Sequence, residues 1–257
     1  MKKIEIFDST LRDGAQGENI SFSADDKLKI LQRLDNFGVA FVEAGNPGSN
    51  PKDLEFFKRA KALTLKNTKL VAFGSTRRKN LTCEEDENLN ALLTAETEYV
   101  SIFGKSWKLH SDIILGATPE ENFAMIEDTV AYLVSKGKKV IFDAEHFFDG
   151  YKDDPDFALS ALKAAEKAGA SAAVLCDTNG GCFPDEVWEI TKKSGGNGTY
   201  PRGYTLPQRY RLRDSLHYVG GKSGGVTRTR YFYRNRRALR KRQSLCNNTK
   251  SAIKVRL

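Results

Sequence analysis

A dense polar cluster follows the first apolar run of this chain. The run Ile4–Phe7 leads into Thr10–Gln16, which contains the adjacent pair Arg12 and Asp13. An aspartate in such a position can bind a hard divalent cation, and a neighbouring arginine can stabilise negative charge that develops on a substrate oxygen. The pattern is typical of a strand that delivers chemistry to its carboxyl end.

The elements that must position this cluster alternate along residues 1–193. Short apolar runs that fit strands lie at Ile4–Phe7, Ala40–Glu43, Leu70–Gly74, Tyr99–Phe103, Val140–Phe142 and Ala172–Leu175. Segments with helical patterning lie between them, among them Ala24–Asn36, Asp53–Leu63, Pro119–Ser135 and Asp156–Ala168. This alternation predicts parallel strands joined by helical crossovers, in about six βα units.

Polar residues recur just after these strands. They include Glu43, Lys105, Asp143, Glu145, His146 and Thr178. In a TIM (β/α)₈ barrel the carboxyl ends of all strands share one face, so these residues would line one pocket, whereas an open sheet would spread them along an edge. The number of units favours the barrel, and we predict an α/β fold with an incomplete (β/α)₈ barrel at residues 1–193.

Composition bounds the class of protein. The chain has 257 residues, of which 40% are apolar, and it contains no apolar run of membrane-spanning length and no recognisable signal peptide. Its four cysteines form no CxxC pair. These features predict a cytoplasmic protein with reduced thiols and no membrane partner.

Several motifs together resemble the acyl-CoA Claisen-condensing branch of the DRE-TIM metallolyase superfamily, which includes the isopropylmalate, homocitrate and citramalate synthases. The similarity covers about residues 3–193 and is greatest to the citramalate synthases. It is carried by the segments 8–16 (DSTLRDGAQ), 45–53 (GNPGSNPKD), 73–78 (FGSTRR), 103–107 (FGKSW), 143–151 (DAEHFFDGY) and 176–181 (CDTNGG).

The resemblance implies a reaction and a site. Acetyl-CoA would be the cosubstrate and pyruvate the 2-oxo acid, giving citramalate and CoA for isoleucine synthesis, in a homodimer with a divalent metal (Mg, Mn or Zn). By the same resemblance Arg12 and Glu145 are catalytic and Asp13 is a metal ligand. Arg12, Thr178 and Asp143 bind the substrate. The alternative 2-oxo acids are those of the isopropylmalate and homocitrate synthases.

Structural interpretations of the same residues stand beside these roles. Asp13 would then only shape its loop, Arg12 would form an ion pair with Glu43, and Glu145 would anchor hydrogen bonds at the barrel top. An Arg12–Glu43 pair is compatible with a catalytic role for Arg12.

The family pattern breaks after about Lys193. The family's His-x-His metal pair is missing, because the only histidines are His110, His146 and His217. The later glycine-rich GxGERxGN segment is also missing. Residues 194–257 contain 16 Lys and Arg but one acid, Asp214, whereas residues 1–193 contain 25 basic and 32 acidic residues. We therefore separate a partial barrel (1–193) from a basic tail (194–257).

Three interpretations of the tail differ in class. It is a disordered basic segment, a nucleic-acid-binding arm with basic and aromatic side chains, or the correct DNA read in a shifted frame after Lys192-Lys193. The shifted frame reads bases two and three of each codon together with base one of the next. In that frame, codons permitted for residues 205–210 give His-Cys-His-Asn-Asp. Those for residues 232–244 give Phe-Ile-Gly-Ile-Gly-Glu-Arg-Cys-Gly-Asn-Ala-Asn. Both missing motifs emerge in order, which favours the shifted frame over nucleic-acid binding. It also predicts little or no activity of the chain as given.

Overall fold

Strands and helices alternate through the part of the chain that was expected to form the barrel. A computed structural model describes residues 5–17 and 19–195, and the backbone of two short strands at 202–205 and 253–256. The strands are β1 (Glu5–Asp8), β2 (Phe41–Glu43), β3 (Lys69–Ser75), β4 (Tyr99–Lys105), β5 (Lys139–Glu145), β6 (Ala172–Cys176), β7 (Arg202–Thr205) and β8 (Ile253–Arg256).

Eight helices accompany these strands. They are α1 (Ala24–Phe37), α2 (Pro51–Ala60), α3 (Glu87–Thr94), the single turn α4 (Lys108–His110), α5 (Pro119–Ser135), α6 (Phe147–Asp153), α7 (Pro155–Lys167) and α8 (Pro184–Ser194). A 3₁₀ turn at Gly14–Gln16 and a π-helical turn at Ser111–Leu115 complete the described part. Among the described residues, no helix is both long and apolar enough to cross a membrane.

Helix starts follow from capping side chains that the sequence makes visible. Ser23 accepts a hydrogen bond from the Asp26 amide, and the Asp26 side chain accepts one from the Ser23 amide, which together form a capping box. Thr118 and Asp154 cap α5 and α7, and each helix has proline in its first turn. Asp86 caps the short helix α3, where it accepts hydrogen bonds from the amides of Asn88 and Leu89.

The strands close into a barrel in sequence order. Each strand from β1 to β6 is parallel to the next. The last strand, β8, is antiparallel to both β7 and β1. Six βα units are therefore present, and the prediction of an incomplete (β/α)₈ barrel is confirmed.

Strands β7 and β8 lie in the basic tail and extend the sheet. Because β8 pairs with β1 and β7 pairs with β6, the first and the sixth strand each have a neighbour on both sides. Residues 202–205 and 253–256 of the tail form these two strands. The remaining tail residues, 196–201, 206–252 and 257, lie outside the described part.

Alternation along each strand creates two cores. The inner one receives one side chain from each of the first six strands: Phe7, Phe41, Val71, Tyr99, Ile141 and Val174. The neighbouring residues, such as Val42, Ala72 and Val100, face outward and pack against the helices. Because side chains alternate, Glu43, Asp143 and Glu145 share the inward face with the inner core and lie nearer the carboxyl ends.

A buried ion pair ties the first two helices to the loop after β2. Lys27 and Asp53 are 5% and 6% exposed, and the Lys27 ammonium contacts the Asp53 carboxylate and also donates to the Ala44 carbonyl at 2.8 Å. The Asn46 amide donates to the same carboxylate at 2.9 Å. A Cβ at Gly45, whose φ is +152°, would lie 2.3 Å from Asp53, so this approach requires glycine.

Breaking this pair should destabilise the barrel strongly. Lys27→Met leaves a buried carboxylate without its cation, and we expect the free energy of unfolding to fall by about 3 kcal/mol. Lys61 and Glu96 form a comparable pair with 41% and 66% side-chain exposure, so Lys61→Met should change it by less than about 1 kcal/mol. Urea unfolding measures both. Equal effects of the two substitutions would contradict a structural role for Lys27.

Candidate active site

The turn after β1 is held by its own hydrogen bonds. Asp8 accepts bonds from the Thr10 amide at 2.9 Å and from the Thr10 hydroxyl at 3.0 Å. The Ser9 carbonyl accepts from the amides of Arg12 and Gly14, both at 3.1 Å. Burial raises the pKa of Asp8 despite these bonds. Asp8 therefore shapes the turn that presents Arg12.

Arg12 reaches across from this turn to β2 and β3. Its Nε donates to Glu43 Oε2 at 2.7 Å, and its guanidinium carbon lies 3.9 Å from the centre of the Phe73 ring. The Glu43 side chain is completely buried, so the guanidinium supplies its compensating charge. Burial acts to lower the pKa of Arg12, but Glu43, Asp13 and Asp143 outweigh it, and the net pKa is raised.

The expected Arg12–Glu43 ion pair is thus present. It fixes the position of the guanidinium through Nε, and it is compatible with a catalytic role for Arg12. The charge on Arg12 persists over the whole physiological range of pH.

Asp13 occupies a more open position beside Arg12. Its Oδ1 lies 3.6 Å from Arg12 Nη1, and its side chain is 36% exposed. Within residues 5–17 and 19–195, no group of three or more His, Cys, Asp or Glu side chains could hold a metal ion. The described residues therefore do not fit a complete metal site, and Asp13 as a ligand stays a prediction.

Glu145 and Lys105 meet at the carboxyl ends of β4 and β5. The parallel register places Lys105 directly opposite Glu145, and Lys105 Nζ lies 2.5 Å from Glu145 Oε2. The two side chains are 12% and 26% exposed. Asp143, two residues earlier on β5, is 4% exposed and is near enough to contribute to the raised pKa of Arg12.

Thr178 is joined to β5 through His146. The His146 amide donates to Thr178 Oγ1 at 2.9 Å, which leaves the hydroxyl hydrogen of Thr178 available to donate. His146 has the left-handed backbone conformation, with φ 54° and ψ 33°. This conformation is uncommon for a residue with a side chain, and it turns the chain sharply after Glu145.

A second set of contacts holds His146 in place. Its Nδ1 lies 3.3 Å from Asp149 Oδ2, which also accepts a bond from Asn179 Nδ2 at 3.0 Å. The rings of His146 and His110 are 4.5 Å apart in an edge-on arrangement, and the Trp107 ring lies 4.6 Å from His110. His146 and Asn179 therefore connect the segments that carry Glu145 and Thr178.

The candidate site residues consequently fall into two groups on one rim. Arg12, Asp13 and Asp143 are linked electrostatically, and Glu145 and Thr178 are linked through His146. The sequence did not lead us to predict that Lys105 contacts Glu145. The signal was present, since both residues end strands that are consecutive in the sequence, but only the register shows that they are opposite each other.

Residues 3–194 match the HMGL-like family. The chain belongs to the HMGL-like family. This membership confirms the resemblance to the DRE-TIM superfamily. The matched residues include all six βα units of the barrel.

Relatives within the HMGL-like family differ in similarity. The (R)-citramalate synthase of Aquifex aeolicus is 55% identical over 192 residues, which are 75% of this chain and 36% of that protein. The 2-isopropylmalate synthase of Halalkalibacterium halodurans is 32% identical over 187 residues, which are 73% of this chain and 35% of that protein. The chain thus spans about a third of the length of the curated relatives it matches.

A solved HMGL-like structure shares the fold. The HMG-CoA lyase of Bacillus subtilis aligns with a TM-score of 0.70 at 14% identity, covering 87% of this chain and 75% of that one. At this level of identity, the similarity supports the barrel architecture and carries no information about the substrate.

The His110 environment predicts a pH-dependent stability. Burial, His146 and Lys105 lower the pKa of His110. As pH falls below about 6.5, His110 therefore takes up a proton in the unfolded chain before it does so in the folded one. Neutral His110 thus contributes to the stability of the fold at neutral pH, and this contribution is lost as pH falls through the pKa of the folded state. Urea midpoints of the wild type should decrease from pH 7.5 to 5.5 more than those of His110→Gln. Equal decreases would contradict this assignment.

Proposed function

We propose that this chain contains the first six βα units of a citramalate synthase-type enzyme. The reaction is the condensation of acetyl-CoA with pyruvate and water to give citramalate and CoA. The observation that carries the proposal is the 55% identity to an (R)-citramalate synthase, against 32% to a 2-isopropylmalate synthase. The paired groups on the barrel rim support it.

Arg12 is proposed to stabilise the oxygen of the 2-oxo acid that becomes an alkoxide when the new C–C bond forms. Its fixed position between Glu43 and Phe73 supports this role, because a charge that is already oriented needs no reorganisation during the reaction. Asp143 is proposed to help bind the same 2-oxo acid, and its charge contributes to the raised pKa of Arg12.

Glu145 is proposed to take a proton from the acetyl methyl group. Thr178 is proposed to donate its hydroxyl hydrogen to the carboxylate of the 2-oxo acid. The bond that Thr178 accepts from the His146 amide supports the second role, since it directs the remaining hydroxyl hydrogen away from the backbone. The His146 link also keeps the two groups in fixed relation to each other.

A divalent cation at Asp13 would polarise the ketone of the 2-oxo acid. The described residues do not complete its site, so none of the roles above is assigned to the cation. The cation, its identity, the homodimer and the cytoplasmic location stay predictions.

We further propose that residues 194–257 are encoded out of frame. The proposal is supported by the recovery of both missing motifs, in order and in one frame, from codons permitted for this sequence. Sequencing the gene across codons 190–257 tests it. If the second frame does not encode a His-x-His-Asn-Asp segment, the proposal fails.

The chain as given should turn over little or no substrate. Its three histidines include no pair two residues apart, so the family's metal pair is missing. Thiol release from acetyl-CoA is measured with pyruvate and with bulkier 2-oxo acids, with and without Mg²⁺, Mn²⁺ or Zn²⁺. Substantial metal-dependent citramalate formation by this chain would contradict the prediction.

Restoring the reading frame should restore the reaction. A gene with one base removed at the Lys192-Lys193 codons is expected to give a protein that forms citramalate from acetyl-CoA and pyruvate. In that protein Arg12→Gln should lower kcat by about 100-fold, because it removes a charge positioned for the alkoxide. A restored protein that prefers a bulkier 2-oxo acid would identify a different synthase.

A further inference from the structure

Removing a proton from the methyl group of a thioester poses two chemical requirements. A base must accept the proton, and a donor or cation must stabilise the charge that moves onto the thioester oxygen. The proposed roles supply the base, Glu145, but assign nothing to the thioester oxygen. Arg12 is committed to Glu43 and to the 2-oxo acid.

The described cation in contact with Glu145 is Lys105. Its Nζ lies 2.5 Å from Glu145 Oε2, and the parallel register of β4 and β5 holds the two residues directly opposite each other. The backbone on both sides is also fixed. Asn122 donates to the Lys105 carbonyl at 3.0 Å, and the Ser106 hydroxyl donates to the Glu145 carbonyl at 2.7 Å.

The exposure of the two side chains is compatible with a pair that contacts a bound substrate. Lys105 is 12% exposed and Glu145 is 26% exposed, so the carboxylate can be reached while the ammonium is largely shielded from water. Shielding strengthens the interaction of the ammonium with a developing negative charge. Lysine has three N–H donors, so Nζ can hold Glu145 Oε2 and a thioester oxygen together.

We propose that Lys105 is a further catalytic residue, which together with Glu145 forms the enolate of acetyl-CoA; this rests on the proposed function. The Glu145 carboxylate takes a methyl proton, and the electron pair of the broken C–H bond forms a C=C bond. The electrons of the thioester C=O bond move to its oxygen, where Lys105 stabilises the negative charge. Return of a proton from Glu145 to carbon reverses the step.

A simple structural ion pair is the competing explanation, and the chain offers a matched example. Lys139 and Glu98 also form a Lys–Glu pair, at 2.7 Å, but Lys139 begins β5 at the opposite end of the barrel. The two side chains are 53% and 58% exposed. A pair with that exposure contributes little to stability, and it lies away from the carboxyl ends of the strands, where the proposed reaction takes place.

The proposed step needs neither a 2-oxo acid nor a metal ion. The full chain as it exists is therefore tested by incubating it with acetyl-CoA in D₂O and following loss of the methyl proton signal by NMR. We expect exchange above the rate without protein. Lys105→Met and Glu145→Gln should each lower the exchange rate by about 100-fold. Lys105→Arg, which keeps the charge, should have an exchange rate within about tenfold of the wild-type rate. Lys139→Met should exchange at the wild-type rate.

The outcomes separate the two proposals. Absence of exchange by the wild type, or wild-type exchange by Lys105→Met, overturns the role of Lys105. Citramalate formation by the frame-restored protein tests the proposed function separately. Circular dichroism and thermal unfolding show whether each variant folds. If Lys105→Met does not fold, Lys105→Gln takes its place, and exchange at the wild-type rate in that variant overturns the role equally.

Discussion

The charges inside this barrel must be compensated, and the arrangement of the rim follows from that constraint. Glu43 has no exposure to solvent, so the loop after β1 must bring Arg12 to it. This contact places the guanidinium over Phe73 and beside Asp143. Lys105 and Glu145 satisfy the same constraint at the ends of β4 and β5. The fold thereby positions two cations whose sites are also suited to developing negative charge.

The two cations divide the rim into separate areas. Arg12 belongs to the β1–β2 side, where the proposed 2-oxo acid is bound. Lys105 belongs to the β4–β5 side, where the proposed acetyl group is activated. Thr178 is held by His146, which follows Glu145, so its hydroxyl belongs to the β4–β5 side of the rim. The carboxylate that this hydroxyl is proposed to bind belongs to the 2-oxo acid on the β1–β2 side. This connection gives a physical reason for the two substrates to lie in one fixed relation.

Much of this arrangement could be predicted from the sequence. Apolar runs and capping residues indicated six βα units, and the polar residues after the strands indicated a common rim. The Lys105–Glu145 contact could not be predicted, because strand register depends on packing between strands and helices that is distant in sequence. The left-handed conformation of His146 was equally hidden, since few residues with a side chain adopt it and the sequence does not mark which ones do. The pairing of β8 was missed although Ile253–Arg256 alternates apolar and basic residues, because four residues in a basic tail are too few to identify a strand.

The direction of β8 separates two properties that usually coincide in barrels. Hydrogen bonding around the ring needs only a neighbour of either polarity, and β8 meets that need with Ile253 beside Asp8 and Arg256 beside Glu5. In a barrel of parallel strands, the functional side chains follow the carboxyl end of each strand. The carboxyl end of β8 points to the opposite face, because β8 is antiparallel to β1 and β7. A sheet can therefore become continuous by recruiting a segment of unrelated composition, even though the carboxyl end of that segment points away from the rim.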